Sequence, residues 1–167
     1  MILRIGVSQC LMGDRVRHDG GHKHFPFVTD GLAGWADLIP VCPEVEFGLG
    51  IPREPIQLQA TEKGDISLIE ISTGTDLTAP MIRWAAERAD ALEGLGISGF
   101  VLKSRSPSCG LAVPVHGRPN PAAGLFAQAL VLAMDGLPMI EEIDLGTPAE
   151  QAAFAARVRA YVKRLSR

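Results

Sequence analysis

The sequence predicts an α/β fold: a single domain with a mostly parallel, Rossmann-like sheet covered by helices and a small β-hairpin insertion. Three observations predict it. Short apolar runs at residues 3–7, 38–41, 99–102 and 137–140 alternate with segments of helical character, the pattern of parallel strands joined by crossovers. Residues 56–60 and 66–71, joined around the Lys-Gly-Asp of 63–65, read as a hairpin. Residues 147–150 (TPAE) form a helix start ahead of a long amphipathic run.

Taken in order, residues 3–7 form a buried strand that opens into a polar, Gly-rich loop from Cys10 to about Pro26. Residues 28–37 are read as a helix, weakened by Gly31 and Gly34. The run 38–41 is a second strand ending at Cys42. After the hairpin, Asp76 or Thr78 caps a helix reaching about Leu95, with Pro80 tolerated in its first turn. Met81, Trp84, Ala85, Arg88 and Leu92 fall near helical spacing, and Gly94 and Gly96 end the helix. Residues 99–102 are a third strand and open into KSRSPSCG at 103–110. A helix is expected over 121–134 and a fourth strand over 137–140. The last helix starts with Thr147 as cap, Pro148 in the first turn and Glu150 three residues after the cap. It runs to about Leu165, with Lys163 and Arg164 suited to its C-terminal end.

A chain of 167 residues, 47% hydrophobic and 21% charged, buries enough apolar surface for one domain spanning 1–167. The net charge of −3 gives no support to non-specific binding of nucleic acid or membrane. No stretch has the apolar length of a membrane span or the flanks of a secretory signal, so a cytoplasmic location is expected. In a reducing compartment three cysteines, an odd number, point to thiols, ligands or nucleophiles rather than a disulfide framework. The oligomeric state is not legible.

Cys10, Cys42 and Cys109 each fall just past the C-terminal end of an expected strand. In open α/β sheets ligands bind at that edge, so three residues far apart in sequence can meet in one crevice. The first segment, SQCLMGDRVRHDGGHK, brings glycines for sharp turns and Arg17, Asp19 and Lys23 for charge. The second, CPEVE, places Glu44 as a candidate acid/base beside its cysteine. The third surrounds Cys109 with Lys103, Ser104, Arg105, Ser106 and Ser108, hydroxyls and cations that suit a thiolate or cluster sulfur.

Each feature has a plainer counterpart. A single buried cysteine is usually a small core residue, and no CxxC spacing is present. His18, His22 and His24 form a His-dense loop that either binds zinc or is solvated. Glu44 and Glu46 are an acid/base pair or include a surface carboxylate. The glycines make no GxGxxG, which argues against a dinucleotide site.

Together S-x-C-L-M-G-x-x-V-R-x-D-G, V-C-P-E and L-K-S-R-S-P-S-C-G resemble the thiouracil desulfidase family of bacterial proteins, in its single-domain form. The resemblance extends to TGTDLT at 73–78, GLFA at 124–127 and LPMIEE at 137–142. It implies a [4Fe–4S] cluster held by Cys10, Cys42 and Cys109, with one iron left open as a Lewis acid for the sulfur of a thiolated pyrimidine. Water then replaces that sulfur by C–S bond hydrolysis, giving uracil and sulfide without net redox change. The family's catalytic carboxylate matches Glu44. Its catalytic serine lies in the SPSC stretch, with Ser106 ahead of Ser104 and Ser108. Asp19 is an additional candidate for handling a proton or positioning water. Arg17, Lys23, Lys103, Ser104 and Ser108 are candidates to bind a thiolated base, nucleoside or nucleotide. His18 stands where the family more often has tyrosine, which puts pocket shape and substrate choice in question. The alternative is a non-catalytic iron–sulfur protein for sulfur or iron delivery or redox sensing.

Overall fold

The computed structural model describes residues 2–167. Its strands are β1 (Arg4–Ser8), β2 (Asp37–Val41), β3 (Ile56–Ala60), β4 (Ile66–Glu70), β5 (Gly99–Leu102), β6 (Val115–His116) and β7 (Met139–Glu141). Its helices are α1 (Pro43–Phe47), α2 (Thr78–Gly94), α3 (Leu125–Ala133) and α4 (Pro148–Leu165). The main sheet has the order β2-β1-β5-β7, with every pairing parallel. A second sheet, β4-β3-β6, joins the expected antiparallel hairpin to a short parallel strand. The expected α/β class, with a parallel sheet, covering helices and a hairpin, is the observed one.

Both faces of the main sheet are covered, which is why its strands read as apolar runs rather than alternating ones. Ile5, Val7 and Val101 lie in one cluster with Phe154 and Val158 of α4 and with Leu11, Val28 and Leu32. Phe100 and Leu102 lie in the other, against Ala85, Ala89 and Leu92 of α2 and Phe126 and Leu130 of α3. Each large side chain buried in this way contributes about 1.5–3 kcal/mol relative to exposure. Gly6 in β1 is needed because the Phe100 ring occupies the space its side chain would take. A third cluster, Leu58, Leu68, Met81, Val113, Val115 and Leu125, seats the hairpin sheet on the N-terminal ends of α2 and α3.

The best-marked element forms as written. Thr147 accepts from the Glu150 N–H, and the Glu150 carboxylate accepts from the Thr147 N–H. Four expectations need correction. Residues 28–37 make no α-helix: Phe27–Gly31 is one wide turn, Leu32–Gly34 a tight one, and Asp37 already opens β2. Gly31 lies under the Phe27 ring there, a close approach that leaves no space for a side chain. The helix expected from 121 begins only at Leu125, because Val113 and Ala122 exchange two backbone hydrogen bonds that hold the chain extended. Thr78 does not cap α2; its hydroxyl accepts from the Leu68 N–H of β4, while Asp76 accepts from the Thr78 N–H. Arg88 does not join the buried face of α2, where Met81, Ala85, Ala89 and Leu92 sit; it pairs with Glu46 instead.

Candidate active site

Strand order explains why the three cysteines meet. β2, β1 and β5 are neighbours and run the same way, so the loops leaving their C-terminal ends share one sheet edge. Cys10 lies in a turn directly after β1, Cys42 follows β2 as the residue ahead of α1, and Cys109 sits in the loop after β5. All three are buried, unpaired thiols lining one cleft of about 440 Å3. The long first loop folds back over this cleft. The Cys10 carbonyl accepts from the Lys23 N–H at 2.9 Å, and the Leu11 carbonyl accepts from the Phe25 N–H at 2.9 Å.

Burial pushes all three thiols above their ordinary range. For Cys10 the loss of water dominates, partly offset by the charge and hydrogen bond of Arg17 and by Lys103. For Cys42 burial again dominates, against backbone hydrogen bonding and the charge of Arg53. For Cys109 burial leads, a Ser8 hydrogen bond opposes it, and Glu44, Cys10 and Cys42 push further upward. Groups of the same cleft act on all three thiols: Arg17 and Lys103 on Cys10, Arg53 on Cys42, and Glu44 on both Cys42 and Cys109.

Glu44 enters the same cleft from the first turn of α1. Arg53 Nε donates to its Oε1 at 3.1 Å, and the Ser108 hydroxyl donates to its Oε2 at 3.2 Å. Glu46 serves differently. Its Oε2 accepts from the Cys42 N–H at 2.9 Å and its Oε1 pairs with Arg88 at 2.9 Å, so this carboxylate caps the cysteine turn. Ser106 lines the cleft, and its oxygen accepts from the Cys109 N–H at 3.1 Å and the Ser108 N–H at 3.3 Å. Arg105, just before it, holds a left-handed backbone with φ of 61°, a costly conformation for a residue with a side chain.

The cations divide into two sets. Lys103 is anchored: its Nζ donates to Glu142 at 2.8 Å and to the Ser104 carbonyl at 2.8 Å. Glu142 also accepts from the Ser104 N–H and hydroxyl, both at 2.6 Å. Desolvation alone would raise the Glu142 pKa, but the bonds from Lys103 and Ser104 outweigh it and hold the carboxyl below its ordinary range. Arg17, Lys23 and Arg105 line the cleft and form no ion pair among the described residues.

Nine of the eleven residues singled out in the sequence therefore line the cleft: Cys10, Arg17, Lys23, Cys42, Glu44, Lys103, Ser104, Ser106 and Cys109. Ser108 is fully buried behind Glu44. Asp19 is exposed outside the lining, where its carboxylate accepts from the Gly21 N–H at 2.8 Å and closes a loop turn. That turn, helped less by His18 and Arg17, holds its carboxyl below the ordinary range. Of the three loop histidines only His18 lines the cleft, and His24 bonds Thr29 at 2.9 Å. Among the described residues no three His, Cys, Asp or Glu side chains are arranged to hold one metal ion.

Three residues of the site escaped the sequence reading. Arg53 lies between two prolines, with no periodicity to mark it. Glu142 is one carboxylate of a Glu-Glu pair at a strand end. Ser8, buried in β1, accepts from the Lys103 N–H at 2.9 Å. The one available signal was chemical: a carboxylate sunk beside thiols calls for a cation.

The donor set fits an iron–sulfur cluster. Three thiols line one cleft together with hydroxyls and cations, a lining that fits a thiolate-held iron–sulfur cluster. With the three sulfurs ionised as cluster ligands, the surrounding cations and hydroxyls would offset their charge and offer donors to sulfur.

Comparison with known proteins agrees with this geometry. A family model described as 2-thiouracil desulfurase matches residues 5–142. The uncharacterized protein YbbK of Bacillus subtilis strain 168 is 28% identical over 145 residues, 83% of this chain and 95% of that protein. A solved structure, the [4Fe-4S]-dependent thiouracil desulfidase TudS, superposes with a TM-score of 0.70 at 28% identity, covering 92% of this chain and 99% of that one.

Proposed function

The chain belongs to the 2-thiouracil desulfurase family, and from that premise we propose that it removes sulfur, without net redox change, from small thiolated uracil compounds. Cys10, Cys42 and Cys109 are the protein ligands of its [4Fe–4S] cluster in this reading. The observation that carries it is the meeting of these three thiols with Glu44 in one cleft at the C-terminal edge of three adjacent strands.

When bound, such a cluster with only three protein ligands supplies a Lewis-acidic iron for the substrate's sulfur. The rest of the work falls to side chains. Glu44 takes a proton from water at a carboxylate oxygen as that water adds to the thiocarbonyl carbon. Each oxygen already accepts one hydrogen bond and keeps a second lone pair, so the carboxylate is held still while remaining able to accept. Ser106 accepts two backbone N–H groups at its oxygen, which leaves its O–H to donate to a pyrimidine carbonyl or ring nitrogen. Arg17, Lys23 and Arg105, which line the cleft and form no ion pair among the described residues, bind a phosphate where the substrate is a nucleotide. Lys103, committed to Glu142, supports the cleft wall and contributes positive charge. A cleft of about 440 Å3 suits a base or a small nucleotide rather than a folded RNA.

The test is sulfide release by anaerobically prepared, iron-loaded protein from 2-thiouracil, 4-thiouracil, 4-thiouridine and 4-thiouridine monophosphate. Turnover of at least one supports the reading, and a lower KM for the monophosphate assigns Arg17, Lys23 and Arg105 to phosphate. No sulfide from any of the four would reject it.

A further inference from the structure

We propose that Arg53 is the positioning residue of this site: it fixes the Glu44 carboxylate, and through it ties together the three segments that carry the cysteines. The inference rests on the desulfidase reading and adds a residue to it.

The bonding around Arg53 reaches each segment in turn. Its backbone N–H donates to the His18 carbonyl at 2.9 Å, in the loop that carries Cys10. Its Nε donates to Glu44 Oε1 at 3.1 Å, two residues beyond Cys42. Glu44 Oε2 in turn accepts from Ser108, the neighbour of Cys109. Nη1 donates to the Gly50 carbonyl at 2.9 Å, which anchors the guanidinium to its own loop. The pair is largely enclosed, with side-chain exposures of 5% for Arg53 and 15% for Glu44. In such surroundings a carboxylate without its cation turns toward water, since little else compensates its charge.

The planar guanidinium matters as well as its charge. Arginine presents its Nε and Nη1 donors in a fixed fork, so binding Gly50 sets the direction from which Glu44 is held. A lysine has one ammonium on a flexible stem and cannot hold both partners in that geometry. Arg53 acts on the reaction through Glu44 and not by touching the reacting atoms.

The experiment uses Arg53→Met and Arg53→Lys, each as full-length protein. In crystals of the metal-free protein, the Glu44 carboxylate in Arg53→Met is expected to leave Ser108 and swing toward solvent, with the main chain retained. In the iron-loaded protein kcat is expected to fall about a hundredfold with KM for thiouracil within about threefold, and Arg53→Lys to recover part of the loss. Arg53→Met combined with Glu44→Gln is expected to be no slower than Glu44→Gln alone, because both act through one carboxylate. Should Arg53→Met fail to fold, Arg53→Lys carries the same two readouts. The proposal is overturned if Glu44 keeps its Ser108 contact in the variant crystal, or if the two substitutions multiply. Lack of turnover by wild-type protein would reject the desulfidase reading instead, and the crystallographic comparison would still decide the role of Arg53.

Discussion

Glu44 and Ser108 stand 64 residues apart in sequence and meet at 3.2 Å, the serine hydroxyl donating to the carboxylate that Arg53 holds from its other side. This contact links the turn after β2 to the loop after β5, and so links the neighbourhoods of Cys42 and Cys109. It gives the buried serine of the SPSC stretch a supporting place, whereas Ser106 faces the cleft.

Ser108→Ala removes one of the two restraints on Glu44 without changing the side-chain volume much. A hydrogen bond of this kind contributes about 1 kcal/mol, so kcat should fall about fivefold. Iron content should stay at the wild-type level. Steady-state kinetics beside an iron assay check both.

Gly124 leads into α3 and lies directly against the Ser108 carbonyl, with Pro107 O 2.8 Å from where a Cβ would stand. Phe126 and Ala127 donate their N–H groups to that same Ser108 carbonyl at 3.0 and 3.2 Å. Gly124→Ala should therefore push the Cys109 loop off the helix. Overpacking of this sort costs about 1–3 kcal/mol, and Tm should drop by several degrees. Iron uptake on reconstitution should fall with it.

Glu142 predicts an acid-limb effect. Its pKa in the folded chain lies below the ordinary value of 4.5, because Lys103 and Ser104 outweigh the cost of burial. Its ionised form therefore stabilises the fold above about pH 4.5, and that contribution is lost as pH falls through the depressed folded pKa. Urea unfolding of wild type and Glu142→Gln should differ most near neutral pH. The difference should shrink as pH drops below 4.5.

The three cysteines of the metal-free protein should be poor nucleophiles. Burial raises all three thiols, so the reactive thiolate is scarce at neutral pH. Alkylation by iodoacetamide at pH 7, followed by mass spectrometry, should be slower than for a free cysteine at all three positions, with Cys109 slowest. Unfolding in urea should restore ordinary rates at all three.

Much of the fold was legible, and the reasons are local. The start of α4 carries its whole cap in four residues, and the structure forms it as written. β5 is a run of four buried residues that opens on Gly99 and stops ahead of Lys103, so its ends are marked. β6 has only two residues and pairs with a distant hairpin strand, leaving no period to detect. Residues 121–124 carry a helix-tolerant composition, yet the Val113–Ala122 pairing overrides it. The cysteines could be placed because each follows a strand. Arg53 could not, since its role depends on contacts with His18, Glu44 and Gly50 that only the folded chain brings together.

The central claim is that Cys10, Cys42 and Cys109 together hold one cluster on which desulfidation depends. The most direct measurement is iron content per chain after anaerobic reconstitution of wild type and of Cys10→Ser, Cys42→Ser and Cys109→Ser, read beside sulfide release from thiouracil. The account predicts about four iron atoms and turnover in the wild type, with both lost in each variant. A single serine variant that kept the full iron content and released sulfide at the wild-type rate would contradict it.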